Sequence, residues 1–334
     1  MTPPSSAPPG GHASLLPTPD PMPPADLSRL LDVLRENVAG VFLGKPEVIR
    51  YAVLALLADG HLLLEDVPGV GKTLLAKAIA RSLNCKFSRI QFTPDLLPGD
   101  LIGTGVYRQN TGTFEFVPGP VFAQVIVADE INRATPRTQS ALLEAMSERQ
   151  VTVDGVTRQL GPPFLVLATQ NPYEFEGTYP LPESQLDRFL MKVKIGYPDR
   201  ENERRILTQH RVGEPVDKLQ HVLNPPEIVA LQLAVRNVTV EPPVADYVLE
   251  LVDATRVHPD VALGVSTRAA LAFYRAAQAN ALLAGRRHVT PDDVKALAGP
   301  VLAHRILTKG FDASGRSNAD AVVADIVAKT RVPV

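Results

Sequence analysis

Residues 61–83 read HLLLEDVPGVGKTLLAKAIARSL, an apolar run of strand length, a glycine turn and an amphipathic helix in immediate succession. Few arrangements constrain a fold more. The strand must lie inside a sheet, the helix must return across it with Leu74, Leu75, Ala78, Ile79 and Leu83 on one face, and the turn must stand at the sheet's carboxyl edge. Gly69 and Gly71 let backbone N–H groups point inward onto phosphate oxygens, Lys72 adds a point charge, and the Thr73 hydroxyl can complete a Mg²⁺ shell. A phosphate loop of the form Gly, four residues, Gly-Lys-Ser/Thr has glycine where this chain has Asp66. Aspartate tolerates turn and left-handed geometry, so the departure is compatible with the loop.

The surrounding sequence extends that unit. From 26 to 198, helical patterns alternate with the short apolar runs HLLLE, FSRIQF, VIVAD, FLVLAT and MKVKIGY. Unbroken apolar strands separated by helices predict a parallel sheet covered on both faces, hence an α/β core. Two segments interrupt the alternation: 103–119 and 150–160 both read as β-hairpins, the second turning at Asp154-Gly155. Such hairpins serve either as partner contacts or as edge decoration. From 199 to 334 the pattern is helical, with marked starts such as Thr290 before Pro291, Asp292 and Asp293. A smaller all-helical domain is therefore expected after the core, with the hinge at 196–198. Residues 1–25, rich in Pro, Ser and Gly, read as a disordered tail.

Composition narrows the function classes. A hydrophobic fraction of 45% with 21% charged residues is that of an ordinary globular chain, and a net charge of -2 argues against a nucleic-acid-binding surface. The single cysteine, Cys85, can form no internal disulfide, and no apolar run reaches membrane-spanning length. A cytoplasmic protein without membrane insertion is expected. Seven scattered histidines show no ligand spacing.

A phosphate loop calls for acidic groups nearby, and VIVADE supplies Asp129 and Glu130 at a strand's carboxyl edge. Asp129 can hold Mg²⁺ through water and Glu130 can polarise an attacking water. FLVLATQN ends in Asn171, placed either to contact a γ-phosphate or to start the turn before Pro172. Arg188 ends a short helix, where it could reach a neighbouring subunit's γ-phosphate or pair with a surface acid. Arg268 lies in a helix's first turn, where the dipole disfavours a cation and a compensating anion is suspected.

The runs GHLLLEDVPGVGKTLLAKAIA, RIQFTPDLLPGDLIGT, ADEINRATPRTQSALLEAMSERQVTVDG and ATQNPYEFEGTYPLPESQLDRFLMKV resemble, in order, the MoxR family of AAA+ ATPases. The resemblance implies an AAA+ P-loop core with two hairpin insertions and a helical lid. It implies ATP and Mg²⁺ as cofactors. Nucleotide contacts would come from Val41 and Gly44 in VFLGKPEV, and from Pro68, Gly69, Val70, Gly71, Lys72, Thr73 and Leu74, with Asp129 and Glu130 as the Walker B pair. Asn171 would be sensor 1, Arg188 the arginine finger and Arg268 the sensor 2 residue through which ATP draws the lid toward the core. The family usually carries Gly-Gln at the Gly44-Lys45 position, so a side-chain role for Lys45 does not carry over. A hexameric ring acting as a chaperone for assembly or metal-cofactor insertion, with a von Willebrand factor A-domain partner and a protein client, is the implied setting. A magnesium-chelatase-type motor subunit shares this core, and an ATP-gated scaffold with little hydrolysis stands as the non-enzyme alternative.

Overall fold

The computed structural model describes residues 24–65, 69–172, 177–209, 215–310 and 318–333. The expectations for the Pro-rich tail, for Asp66 and for Pro68 lie outside the described residues, save the tail's last two positions.

Helices α1 (Pro24–Ala39) and α2 (Pro46–Leu57) precede the first strand, β1 (Leu62–Glu65), and α3 (Lys72–Ser82) follows its loop. Strands β2 (Phe87–Gln91), β3 (Gly103–Arg108), β4 (Thr113–Pro118) and β5 (Val125–Asp129) come next, with the short α4 (Pro98–Ile102) before β3. Then α5 (Pro136–Glu148) leads to β6 (Gln150–Val153), β7 (Val156–Gln159), β8 (Leu165–Gln170), α6 (Glu183–Leu186) and β9 (Met191–Val193). The main sheet has the order β2-β5-β8-β1-β9, every pair parallel.

Side chains along each central strand alternate between two apolar layers. Leu62, Leu64, Val125, Val127, Leu165 and Leu167 face the layer with α1, α2 and α3, whereas Leu63, Ile126, Ala128, Val166 and Ala168 face the layer with α5. A strand buried on both faces needs no polar alternation, which is why these runs are continuously apolar. Each fully buried leucine contributes roughly 2 kcal/mol by removal from water, so the sheet is fixed mainly by these two layers.

The expected hairpins are present as β3 with β4 and β6 with β7. Asp154 and Gly155 have φ of 54° and 73°, the paired positive angles of a two-residue turn whose twist suits the flanking strands. Beyond Gly196 come α7 (Arg200–Gln209), α8 (Pro225–Arg236), α9 (Pro242–Val257), α10 (Thr267–Leu283), α11 (Pro291–Leu302) and α12 (Ala319–Lys329). The Thr290 cap is realised as a reciprocal box with Asp293. This helical lid also carries a small antiparallel pair, β10 (Val261–Leu263) with β11 (Leu307–Thr308), too short to leave a periodic signal. Its apolar residues join the layer formed by α1, α2 and α3, so one continuous core spans the lid and one face of the sheet. Gln232 of α8 donates to the Leu56 carbonyl and Arg50 of α2 donates to Asn280 of α10, tying the two parts polar group to polar group.

Candidate functional site

Of the loop after β1, the described residues begin at Gly69. Gly69 and Gly71 have φ of +86° and +91°, a region that L side chains rarely adopt, and α3 begins at the very next residue, Lys72. The first-turn N–H groups and positive dipole end of α3 therefore face the loop, a ready anion site. Val70 and Leu74 are half-buried and pack against the core, anchoring the turn rather than lining it with polarity. A Cβ on Gly71 would come 3.2 Å from the Phe42 ring, so the segment carrying Val41 and Gly44 is brought directly against the phosphate loop. Val41 itself lines a cavity of about 380 Å³, together with Glu36, Asn37, Gly40, Pro215, Lys218 and Leu219.

Strand β8 intervenes between β1 and β5, yet Asp129 still meets the start of α3. Thr73 Oγ1 donates to Asp129 Oδ2 at 3.2 Å, joining the start of α3 to the end of β5. Asp129 is 6% exposed, so its carboxylate needs partners, and it has two more: Arg89 Nε at 2.7 Å and Thr169 Oγ1 at 3.3 Å. Thr169 also accepts the backbone N–H of Glu130 at 3.0 Å. That contact holds Glu130 at φ 56° and ψ 49°, a left-handed conformation that is unusual for glutamate and turns its side chain off the strand line. Glu130 Oε2 accepts from Gln91 Nε2 at 2.8 Å and from Arg133 at 3.2 Å. Asn171 follows β8 directly at the same sheet edge. Glu65 at the end of β1 accepts from Gln170 at 2.7 Å and pairs with Lys192 at 3.2 Å, which completes a polar rim.

An oxygen-rich set of a hydroxyl and a buried carboxylate, 3.2 Å apart beside an anion-binding helix start, fits a hard divalent cation carried with a nucleotide. Among the described residues no group of three or more His, Cys, Asp or Glu side chains could hold a metal alone. Mg²⁺, which keeps several waters and leans on substrate phosphates, needs no such group. Cys85 is half-buried and burial pushes its thiol up to about 12, as suits a packing residue.

The two arginines singled out in the sequence lie elsewhere. Arg188 and Arg268 line one cavity of about 430 Å³, together with Arg149, Arg275, Arg305 and Asp187. That cavity also includes Asp59, Gly60 and His61, which lead into β1, whereas the phosphate loop leaves β1 at its other end. Four strand residues put roughly 13 Å between those ends. The structure therefore places Arg268 beside Arg188, at the end of β1 away from Lys72. Arg188 donates to the Leu143 carbonyl at 2.8 Å and to Ser147 Oγ at the end of α5. Arg268 and Arg275 stand two turns apart on α10 and make no hydrogen bond or ion pair among the described residues.

Arg89, Gln91 and Thr169 escaped the sequence reading. A signal existed for two of them: positions 89 and 91 are polar, two apart on a strand, and hence share a face.

A phosphate loop on a parallel sheet, an acidic pair at the same edge and a helical lid define the AAA+ class of P-loop ATPases. Residues 61–191 match the ATPase family associated with various cellular activities (AAA), and residues 253–326 match an AAA lid domain. Chaperone MoxR1 of Mycobacterium tuberculosis is 42% identical over 97% of this chain and 85% of its own. YeaC, an uncharacterised protein of Bacillus subtilis, is 48% identical over 92% of this chain and 97% of its own. A crystal structure of a protein assigned as an ATPase, from Cytophaga hutchinsonii, superposes with a TM-score of 0.86 at 38% identity, covering 93% of this chain and 97% of that one. The chain belongs to the MoxR family of AAA+ ATPases.

Proposed function

We propose that this protein is a Mg-ATP-hydrolysing motor that acts as a chaperone on protein clients, with each active site completed by a neighbouring subunit of a homo-oligomeric, hexameric ring. The observation that carries the intersubunit site is the separation just described: Arg188 and Arg268 share a cavity at the end of β1 opposite the phosphate loop. Cations grouped there cannot serve the phosphates of their own subunit. They suit an anion presented by the next one, where an arginine stabilises charge on a transferring phosphoryl group.

Within the reading, the loop from Gly69 to Thr73 and the start of α3 hold the phosphates, Lys72 neutralises them, and Val41 and Gly44 border the base. Thr73 and Asp129 would hold Mg²⁺, which would supply charge neutralisation for the phosphates. Glu130 polarises the attacking water and Asn171 orients it. The first hairpin carries exposed Tyr107 and Phe114, ring centroids 5.3 Å apart, as a contact surface for a client or for a von Willebrand factor A-domain partner.

The test is affinity capture with Glu130→Gln in Mg-ATP against Lys72→Ala, read by mass spectrometry, alongside turnover of Arg188→Ala. A von Willebrand factor A-domain protein held only by Glu130→Gln, and lost hydrolysis with retained nucleotide binding in Arg188→Ala, are the expected results. Undiminished turnover in Arg188→Ala removes the intersubunit site, and equal capture by the two other variants removes nucleotide-governed partner binding.

A further inference from the structure

Arg188 and Arg268 come from different parts of the chain, the end of α6 in the core and the first turn of α10 in the lid. What fixes their separation is visible one residue before Arg188 and two residues before Arg268. Asp187 Oδ2 accepts from the Ser266 hydroxyl at 3.0 Å, and Ser266 is the N-cap of α10, accepting in turn from the Ala269 N–H at 3.1 Å. Asp187 Oδ1 accepts from Arg305 Nε at 2.7 Å. Arg305 sits on a 3₁₀ turn over Ala303–Arg305 at the end of α11, and its side chain is only 2% exposed. Its remaining donors go to the backbone carbonyls of Asp187, Phe189, Leu190 and Val301.

A guanidinium so deeply buried is far more than a surface pair needs. Burial pushes its pKa down and the Asp187 carboxylate opposes that shift. The carbonyls it grips belong to the residues on both sides of Arg188, so the lid clamps the backbone of the segment that carries it. The next residue along, Leu190, is seated on the entry to β1: its N–H donates to the His61 carbonyl at 2.8 Å, and a Cβ on Gly60 would come 2.7 Å from Leu190 Cβ. The segment can shift neither toward the sheet nor away from the lid.

We infer that Asp187 and Arg305 are positioning residues which lock Arg188 and Arg268 into one rigid pair offered to the neighbouring subunit's phosphates. The inference rests on the intersubunit reading above. Lid and arginine pair then move together, so a lid displacement in one subunit is felt at the next subunit's nucleotide.

The experiment uses full-length assemblies. Asp187→Asn removes the charge with little change of shape. Ser266→Asp keeps an N-cap acceptor but sets a like charge against Asp187. Each variant lowers kcat on the order of 10²-fold, what a misplacement of about 1 Å costs, while affinity for a fluorescent ATP analogue stays at the wild-type value. Each is then co-expressed with Glu130→Gln, which hydrolyses nothing itself but brings intact arginines. Turnover returns in the mixed assemblies, because a variant subunit's own Walker residues are whole. Arg188→Ala with Glu130→Gln runs as the control. Rescue of the control with no rescue of Asp187→Asn and Ser266→Asp, or wild-type turnover in either variant alone, overturns the inference and leaves the intersubunit site standing. Absence of rescue in the control overturns both. Should Asp187→Asn not assemble, Ser266→Asp decides by the same criteria.

Discussion

Gln91 Nε2 donates to Glu130 Oε2 at 2.8 Å, so the side chain proposed to polarise water is tethered to the end of β2. Arg133 grips the same oxygen at 3.2 Å. A carboxylate oxygen that accepts two hydrogen bonds, one of them charged, is a poorer acceptor for a third donor, and Glu130 must turn from these partners to reach the nucleotide's terminal phosphate. Gln91→Ala removes one tether and leaves the Walker residues in place. Basal ATP turnover should rise by about 3-fold to 10-fold, the value of a partly solvated hydrogen bond. A fall in turnover would mean that Gln91 positions Glu130 for catalysis instead of restraining it.

Arg89 competes for the carboxylate proposed to hold the metal. Its Nε lies 2.7 Å from Asp129 Oδ2, the oxygen that also accepts from Thr73, while the arginine side chain is 50% exposed. A half-exposed pair of this kind is worth about 0.5–1 kcal/mol. Arg89→Ala should therefore lower the Mg²⁺ concentration for half-maximal activity by roughly 2-fold to 5-fold, measured by titration at fixed ATP and low salt. Raising the salt should shrink the difference between variant and wild type, because an exposed charge is screened. A higher Mg²⁺ requirement in the variant would show that Arg89 orients Asp129 rather than competing for it.

These contacts mark what could be read from the chain and what could not. The sheet was legible because its strands are buried on both faces and so read as unbroken apolar runs: Leu62 to Leu64 and Val125 to Ala128 leave no other reading. Asp129 and Glu130 were legible because two carboxylates after four apolar or small residues have few structural reasons to be there. Gln91 and Arg89 look like solvated strand ends until the strand order puts β2 beside β5. The Asp187–Arg305 pair is harder still, since 118 positions separate the partners and AHRI resembles any helix terminus. The placement of Arg268 depended on where the lid packs, which local pattern does not encode.

The first hairpin is closed at its base by two glycines in backbone contact. Gly103 has φ +92° and ψ 173°, a conformation essentially confined to glycine, and a Cβ there would stand 2.4 Å from the Val117 carbonyl and 2.7 Å from the Gly119 nitrogen. Gly112, at the hairpin tip, has φ +68° and open space around it. Gly103→Ala should destabilise the fold by about 3 kcal/mol, because backbone cannot move aside as a flexible side chain would. Gly112→Ala should cost only about 1 kcal/mol, the strain of a left-handed residue. Denaturant melts of the two variants measure the difference, and equal losses would show that the base of the hairpin relaxes freely.

Two buried imidazoles set an acid limit on stability. His61 accepts the Val166 N–H at Nδ1 and is within 3.1 Å of the Met146 carbonyl at Nε2, so the neutral Nε2–H tautomer satisfies both. Burial, with Arg149 nearby, lowers its pKa to about 3. His304 is likewise lowered well below the ordinary value, first by burial and then by Arg305. For a base whose folded pKa is depressed, only the unfolded chain takes up the proton between the two pKa values. Stability from each histidine is therefore fully present above about pH 6.5 and is lost as pH falls below it, at about 1.4 kcal/mol per pH unit per site. Denaturant midpoints should hold steady from pH 8 to about 6.5 and then decline with the combined slope of two sites. His61→Asn keeps one acceptor and one donor but no proton-binding site, so it should lower stability at pH 8 and reduce the acid slope by about half. An unchanged slope in that variant would mean that His61 takes no part in the acid transition.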